Sequence, residues 1–250
     1  MNFTKKVFLL TSCLLVSISL NANETIESFS KAKKLMKKVY KSNQTTFYGN
    51  CNYNYKDKSN MIVRESCGYK PRNEYTKKGK KNQRARRIEW EHVIPAENFG
   101  RQFFCWTEGN EACVKKSGKE YKGRKCCTKV NKQYRLMQAD MHNLVPAIGE
   151  LNADRSNFRY GFIDGEKRFY GEAIDFEVDF KRRVAEPADS IKGNIARTYF
   201  YFEKQYGMKI SKKDKKLFIA WDKLDPVDNW ERKRNNLISK YQGNKNPFVK

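Results

Sequence analysis

Six of the seven cysteines lie between residues 51 and 127, and their number and spacing limit this chain more than its hydrophobic pattern does. The seventh, Cys13, sits in the opening stretch MNFTKKVFLLTSCLLVSISLNANE. Two lysines, an apolar run from Val7 to Leu20 and a small polar segment make that stretch a secretory leader, with cleavage expected after Ala22. The run falls short of the roughly 20 apolar residues that span a bilayer. LTSC at 10–13 has a lipoprotein-like spelling, but Cys13 lies inside the apolar run, so the mature chain, 23–250, is read as a soluble exported domain. No transmembrane segment is expected.

An even set of six cysteines in an exported chain reads as disulfides. Zinc fits poorly, because no Cys-x-x-Cys pair is present and neither histidine lies near a cysteine cluster. Cys51 and Cys67 flank what reads as two short strands around a polar turn, so a local bridge is expected. Cys126 and Cys127 are adjacent, and a bridge between them would strain the peptide link; they are expected to pair separately with Cys105 and Cys113, in either combination. Closing loops of this size contributes about 3 kcal/mol each in the chain-entropy model.

The formal charge is +24, two less once Lys5 and Lys6 leave with the leader. Such a field attracts nucleic acid, anionic lipid or acidic polysaccharide without choosing among them. With 14% aromatic residues the chain can still build a core, and its length fits one domain. Apolar spacing predicts helices over 24–42, 131–143, 148–157, 188–206, 211–223 and 226–241, the last two as one packing unit. Residues 46–70 read as a hairpin, 71–87 as a lysine-rich connection, RIEWEHVI (87–94) as a short strand stopped by Pro95, and 105–127 as loop held by bridges. The fold class is α+β, mainly helical.

The two histidines decide the chemistry. His92 stands in EWEHVIPA directly after Glu91, downstream of KKGKKNQRARR, and His142 in DMHNLVPAIGELNADRSNF. These segments, with IARTYFYFEKQY and QGNKNPFV in the same order, resemble the bacterial endonuclease I family of exported nonspecific nucleases. The resemblance spans nearly the whole mature chain and implies a ββα-metal (His-Me finger) active site. It implies His92 as general base, a role suited to an imidazole whose ordinary pKa of about 6.5 leaves it neutral at physiological pH. It implies Glu91 and Asn152 as metal ligands. Both offer hard oxygens suited to Mg²⁺, with Ca²⁺ or Mn²⁺ as substitutes. Neighbouring residues of an ideal strand point to opposite faces, so Glu91 and His92 are expected to share one phosphate only through an irregularity near Pro95.

Arg124 matches the family's phosphate-gripping arginine, with Arg101, Lys125 and Arg155 as competitors. Residues 108–123 make a longer insert than the family pattern, and the Cys113 and Cys126 positions look added to it. His142 and Asn143 are expected to orient the helix or its hydrogen bonds. The implied reaction is metal-assisted hydrolysis of double- or single-stranded DNA, with RNA a further candidate, leaving 5′-phosphate and 3′-hydroxyl ends. A monomer acting in the periplasm or outside the cell is expected, its lysine-rich 77–87 surface holding the backbone without reading bases. The rival reading is a noncatalytic exported binder of DNA or other polyanions.

Overall fold

In the computed structural model, which describes residues 26–54, 61–165 and 167–250, Ser28 starts the first helix. Its hydroxyl accepts the N–H of Lys31, so α1 runs Phe29–Val39 rather than from Glu24. The leader, 1–22, lies outside the described residues. The expected hairpin is two strands of two residues each, β1 (Asn52–Tyr53) and β2 (Ile62–Val63), paired antiparallel and bridged by Cys51–Cys67.

The structural centre is an antiparallel pair, β3 (Ile88–His92) and β4 (Leu144–Ile148), in unbroken register from Ile88↔Ile148 to His92↔Leu144. Between them the chain forms α2 (Ala96–Gly100), α3 (Phe104–Thr107), α4 (Arg124–Val130) and α5 (Lys132–Ala139). The segment expected to be loop, 105–127, therefore carries helix at both ends. Two bridges, Cys105–Cys127 and Cys113–Cys126, fix it, and these settle the combination that the spacing leaves open. Helix α6 (Gly149–Arg155) follows β4 with no intervening loop and packs on both strands.

Strand β4 is absent from the sequence expectation, in which Pro146 and Gly149 read as interruptions. All five of its residues are buried, so it shows no alternation to detect. Pro146 donates nothing to the ladder, while its carbonyl accepts the N–H of Phe47 at 2.8 Å. Gly149 permits a close approach: a Cβ there would stand 2.8 Å from the Arg84 carbonyl oxygen. The start of α6 is thus pressed against residues 83–87.

Residues 158–187, for which the sequence predicts no element, hold a three-stranded sheet. Its strands are β5 (Arg159–Tyr160), β6 (Phe176–Asp179) and β7 (Val184–Pro187), in the order β5-β7-β6. Three helices close the chain: α7 (Lys192–Tyr206), α8 (Lys212–Leu224) and α9 (Asn229–Gln242). The last two do not form the expected unit. α8 packs on α7 in the main core, and α9 packs on α1 in a second core of Ile26, Met36, Leu144 and Ile238. The fold is α+β and mainly helical; among the described residues no helix is long and apolar enough to cross a membrane.

Candidate active site

His92 ends β3 and is 6% exposed. Its Nε2 lies 2.8 Å from the carbonyl oxygen of Gln138, at the end of α5. A carbonyl only accepts, so Nε2 carries the proton and Nδ1 carries the lone pair. The ring stacks on Phe29 of α1, with centroids 4.8 Å apart and planes 27° from parallel. Burial pushes the imidazole down to about 3, and the Arg124 guanidinium acts in the same direction. In the free protein this histidine is neutral across the physiological range, so the form able to take a proton is fully populated.

Glu91 lies on the other side of the strand. Its Oε1 accepts from Arg155 Nη1 at 3.1 Å and from the Tyr48 hydroxyl at 3.3 Å. Burial raises its carboxyl to about 7 against the opposing pull of Arg155. The irregularity expected near Pro95 is not found at these residues, because ladder pairing continues through Glu91↔Val145 and His92↔Leu144. The two side chains diverge as a regular strand requires.

Asn152 is half-buried on α6, and it meets Glu89 rather than Glu91: Asn152 Nδ2 donates to Glu89 Oε2 at 3.0 Å. Glu89 shares a strand face with Glu91, and its charge adds a small upward push to the Glu91 carboxyl. Glu89 and Asn152 thus meet where β3 packs on α6, with Glu91 on the same face of the strand. Among the described residues no group of three or more His, Cys, Asp or Glu is placed to hold a metal. The donors present fit a hard divalent cation that draws its remaining ligands from water and phosphate, and they do not fit a closed thiolate or imidazole site.

Arg124 is the first residue of α4, not part of an irregular loop. Its side chain is exposed, approaches Gln138 Oε1 at 3.4 Å and lies 5.4 Å from the Phe29 ring centroid. The arginine and the histidine are thus brought together through Phe29 and Gln138, two residues that nothing in the sequence singles out. The competitors are otherwise engaged or less well placed. Arg155 is fully buried and donates to Glu91, to the His92 carbonyl and to the Val93 carbonyl, which makes it a brace beneath β3. Arg101 pairs with Glu97, and Lys125 is exposed.

Asn143 pins the chain just past His92. Its Oδ1 accepts from the Ile94 N–H at 2.7 Å and its Nδ2 donates to the Ile94 carbonyl at 3.0 Å. His142 does different work: its Nε2 meets the Asn244 carbonyl at 3.1 Å, tying the C-terminal segment to the turn before β4. Burial pushes His142 down to about 4, with Asp140 opposing and Arg234 reinforcing the shift. In the unfolded chain the same group titrates near 6.5. The contribution of neutral His142 is full above about pH 6.5 and is lost as pH falls toward 4, because only the unfolded state takes up the proton in that window. Wild-type stability is expected to fall by about 3 kcal/mol on this account over that range. Urea unfolding at pH 7.5 and 4.5 should show a smaller pH difference for His142→Gln; an equal difference would refute the buried neutral assignment.

The Endonuclease I family model matches residues 24–250. An extracellular deoxyribonuclease of Aeromonas hydrophila is 43% identical over 243 residues, covering 96% of each chain. A periplasmic deoxyribonuclease of the same organism is 44% identical over 94% of this chain and 90% of its own. Endonuclease-1 of Buchnera aphidicola subsp. Acyrthosiphon pisum is 43% identical over 90% of this chain and 82% of its own. This chain belongs to the Endonuclease I family.

Proposed function

We propose that the chain is an exported, sequence-nonspecific endonuclease that hydrolyses DNA phosphodiester bonds with the help of Mg²⁺. Family membership and the relatives' names support a nuclease, and extracellular and periplasmic relatives support export. The observation that carries the mechanism is the tethered imidazole of His92, with Nε2 held by Gln138 and Arg124 beside it.

In this reading His92 Nδ1 takes a proton from the attacking water. The negative charge of a bound phosphate raises the imidazole's proton affinity at that moment. Arg124 offers a charged donor fork to the non-bridging oxygens as charge builds on phosphorus. Glu91 and Asn152 would hold the cation, which supplies charge neutralisation for the phosphate and its leaving oxygen. β3 and β4 pair in space, and α6, which directly follows β4, packs on both, an arrangement that supports reading them as a ββα-metal unit. Products would carry 5′-phosphate and 3′-hydroxyl ends. The lysines and arginines of 77–87 would hold the backbone electrostatically, with steep salt dependence and little base preference.

Supercoiled plasmid incubated with the oxidised protein should be nicked and then linearised in Mg²⁺ and left intact in chelator. No cleavage in Mg²⁺ would favour the noncatalytic polyanion binder. In the same assay Asn152→Ala and Glu91→Gln should raise the Mg²⁺ concentration for half-maximal rate or abolish activity. Glutamine is chosen at 91 because it keeps the volume and an oxygen that can accept from Arg155, whereas alanine would leave a void and take that acceptor away. Either substitution removes the negative partner of a buried pair, a loss that costs about 3–5 kcal/mol, so a thermal melt accompanies the assay. Arg124→Ala should lower the rate with the metal midpoint unchanged. A midpoint moved by the Arg124 variant and not by the Asn152 variant would reverse these two assignments.

A further inference from the structure

The Asn152 amide has two ends of nearly equal shape, and only its oxygen can face a cation. Rotation by 180° would present the NH₂ group instead. The neighbour that settles the choice is Glu89, whose Oε2 lies 3.0 Å from Asn152 Nδ2. A carboxylate has only lone pairs to offer, so it must face the amide nitrogen and leaves Oδ1 directed elsewhere. Glu89 is itself held: Arg84 donates to its two oxygens through Nε at 3.0 Å and Nη2 at 2.5 Å. The segment bearing Arg84 is fixed against α6 by the close packing at Gly149, whose N–H donates to the Arg87 carbonyl at 3.0 Å. Arg84, Glu89 and Asn152 thus form a chain of contacts from the basic connection, through the strand, to the helix.

We infer that Glu89 is a positioning residue that fixes the Asn152 amide with its oxygen toward the cation, and that Arg84 locks Glu89 in place for this. The inference rests on the metal-binding role proposed above for Asn152. It gives Glu89 no place among the reacting groups, and it divides the two carboxylates of EWE, Glu91 binding the cation and Glu89 orienting the amide. An ordinary surface ion pair between Arg84 and Glu89 would matter little to anything but local order. Partners that orient a metal ligand typically change metal affinity by about 10–100-fold when removed.

The test uses Mn²⁺ alone, with no DNA and no turnover, titrated into the oxidised protein while the free-ion resonance is followed by electron paramagnetic resonance. Glu89→Ala should weaken Mn²⁺ binding by about 10–100-fold with the thermal midpoint and circular dichroism close to wild type, since Arg84 is half-exposed and stays solvated. The decisive arm is the same substitution in an Asn152→Asp background. A carboxylate presents oxygen in either orientation, so Asn152→Asp/Glu89→Ala should bind Mn²⁺ no more weakly than Asn152→Asp alone. Equal weakening in both backgrounds would make Glu89 a direct ligand and overturn the inference, as would unchanged affinity of Glu89→Ala when Asn152→Ala loses binding. Unchanged affinity of Asn152→Ala would instead overturn the metal-binding role on which the inference stands.

Discussion

Replacing His92 by alanine is expected to lower plasmid cleavage by about 10²–10⁴-fold, the usual cost of losing a general base, while DNA affinity stays near wild type. The two effects separate because they have different origins. Affinity comes from a field spread over lysines and arginines all along the mature chain, and the substitution removes none of them. Proton transfer depends on one imidazole held by one carbonyl, at 2.8 Å from Gln138. The variant leaves that carbonyl without its donor and Phe29 without its stacking partner, so some loss of stability will accompany it. Single-turnover cleavage at saturating Mg²⁺ should therefore be read beside a thermal melt and a filter-binding curve. Near-normal turnover by a folded His92→Ala would remove this residue from the mechanism.

The sequence names candidates for this site and conceals how they meet. Motifs around His92, Glu91 and Asn152 can be quoted without any coordinates, since each rests on residue identity and order. The contacts are long-range: Gln138 reaches His92 across 46 positions, and Glu89 reaches Asn152 across 63. No local periodicity encodes such pairs. Glu89 leaves one trace that alternation makes readable, because it precedes Glu91 by two positions and must share its face. Strand β4 leaves none, since a strand buried throughout gives a continuous apolar run, and its proline reads as a stop. The sheet in 158–187 escapes for a related reason: its strands are two to four residues long and held by register with one another rather than by pattern. The bounds of the last two helices fare better: α8 and α9 lie within a few residues of the ranges expected from apolar spacing, their starts fixed by Ser211 and Asp228, each of which accepts an N–H in the first turn.

Reducing and alkylating the cysteines is expected to lower cleavage by about 10²-fold, as removal of one charge-stabilising donor does, because the bridges hold Arg124. In the sequence this residue reads as part of a loop without secondary structure. Since Arg124 instead opens α4, a seven-residue helix, the physical reason changes. A helix of two turns is not stable alone in water, and its place depends on what anchors it. The buried Cys126 and Cys127 join α4 to Cys113 and Cys105, closing loops with sequence separations of 13 and 22. Each is worth about 3 kcal/mol in the chain-entropy model, more than the weak contact between Arg124 and Gln138 can supply. Freed of both bridges, α4 would lose its seat against α3 and take the guanidinium away from the His92 side chain. Cys51–Cys67 lies outside this segment, which provides the control. Replacing Cys105, Cys113, Cys126 and Cys127 together by alanine, which removes both bridges, should lower the rate as Arg124→Ala does, with the Mg²⁺ midpoint unmoved, and Cys51→Ala/Cys67→Ala should affect stability more than rate. Circular dichroism of the reduced, blocked protein separates displacement of α4 from global unfolding. Equal cleavage by the oxidised and the reduced, still-folded forms would show that Arg124 keeps its place without the bridges.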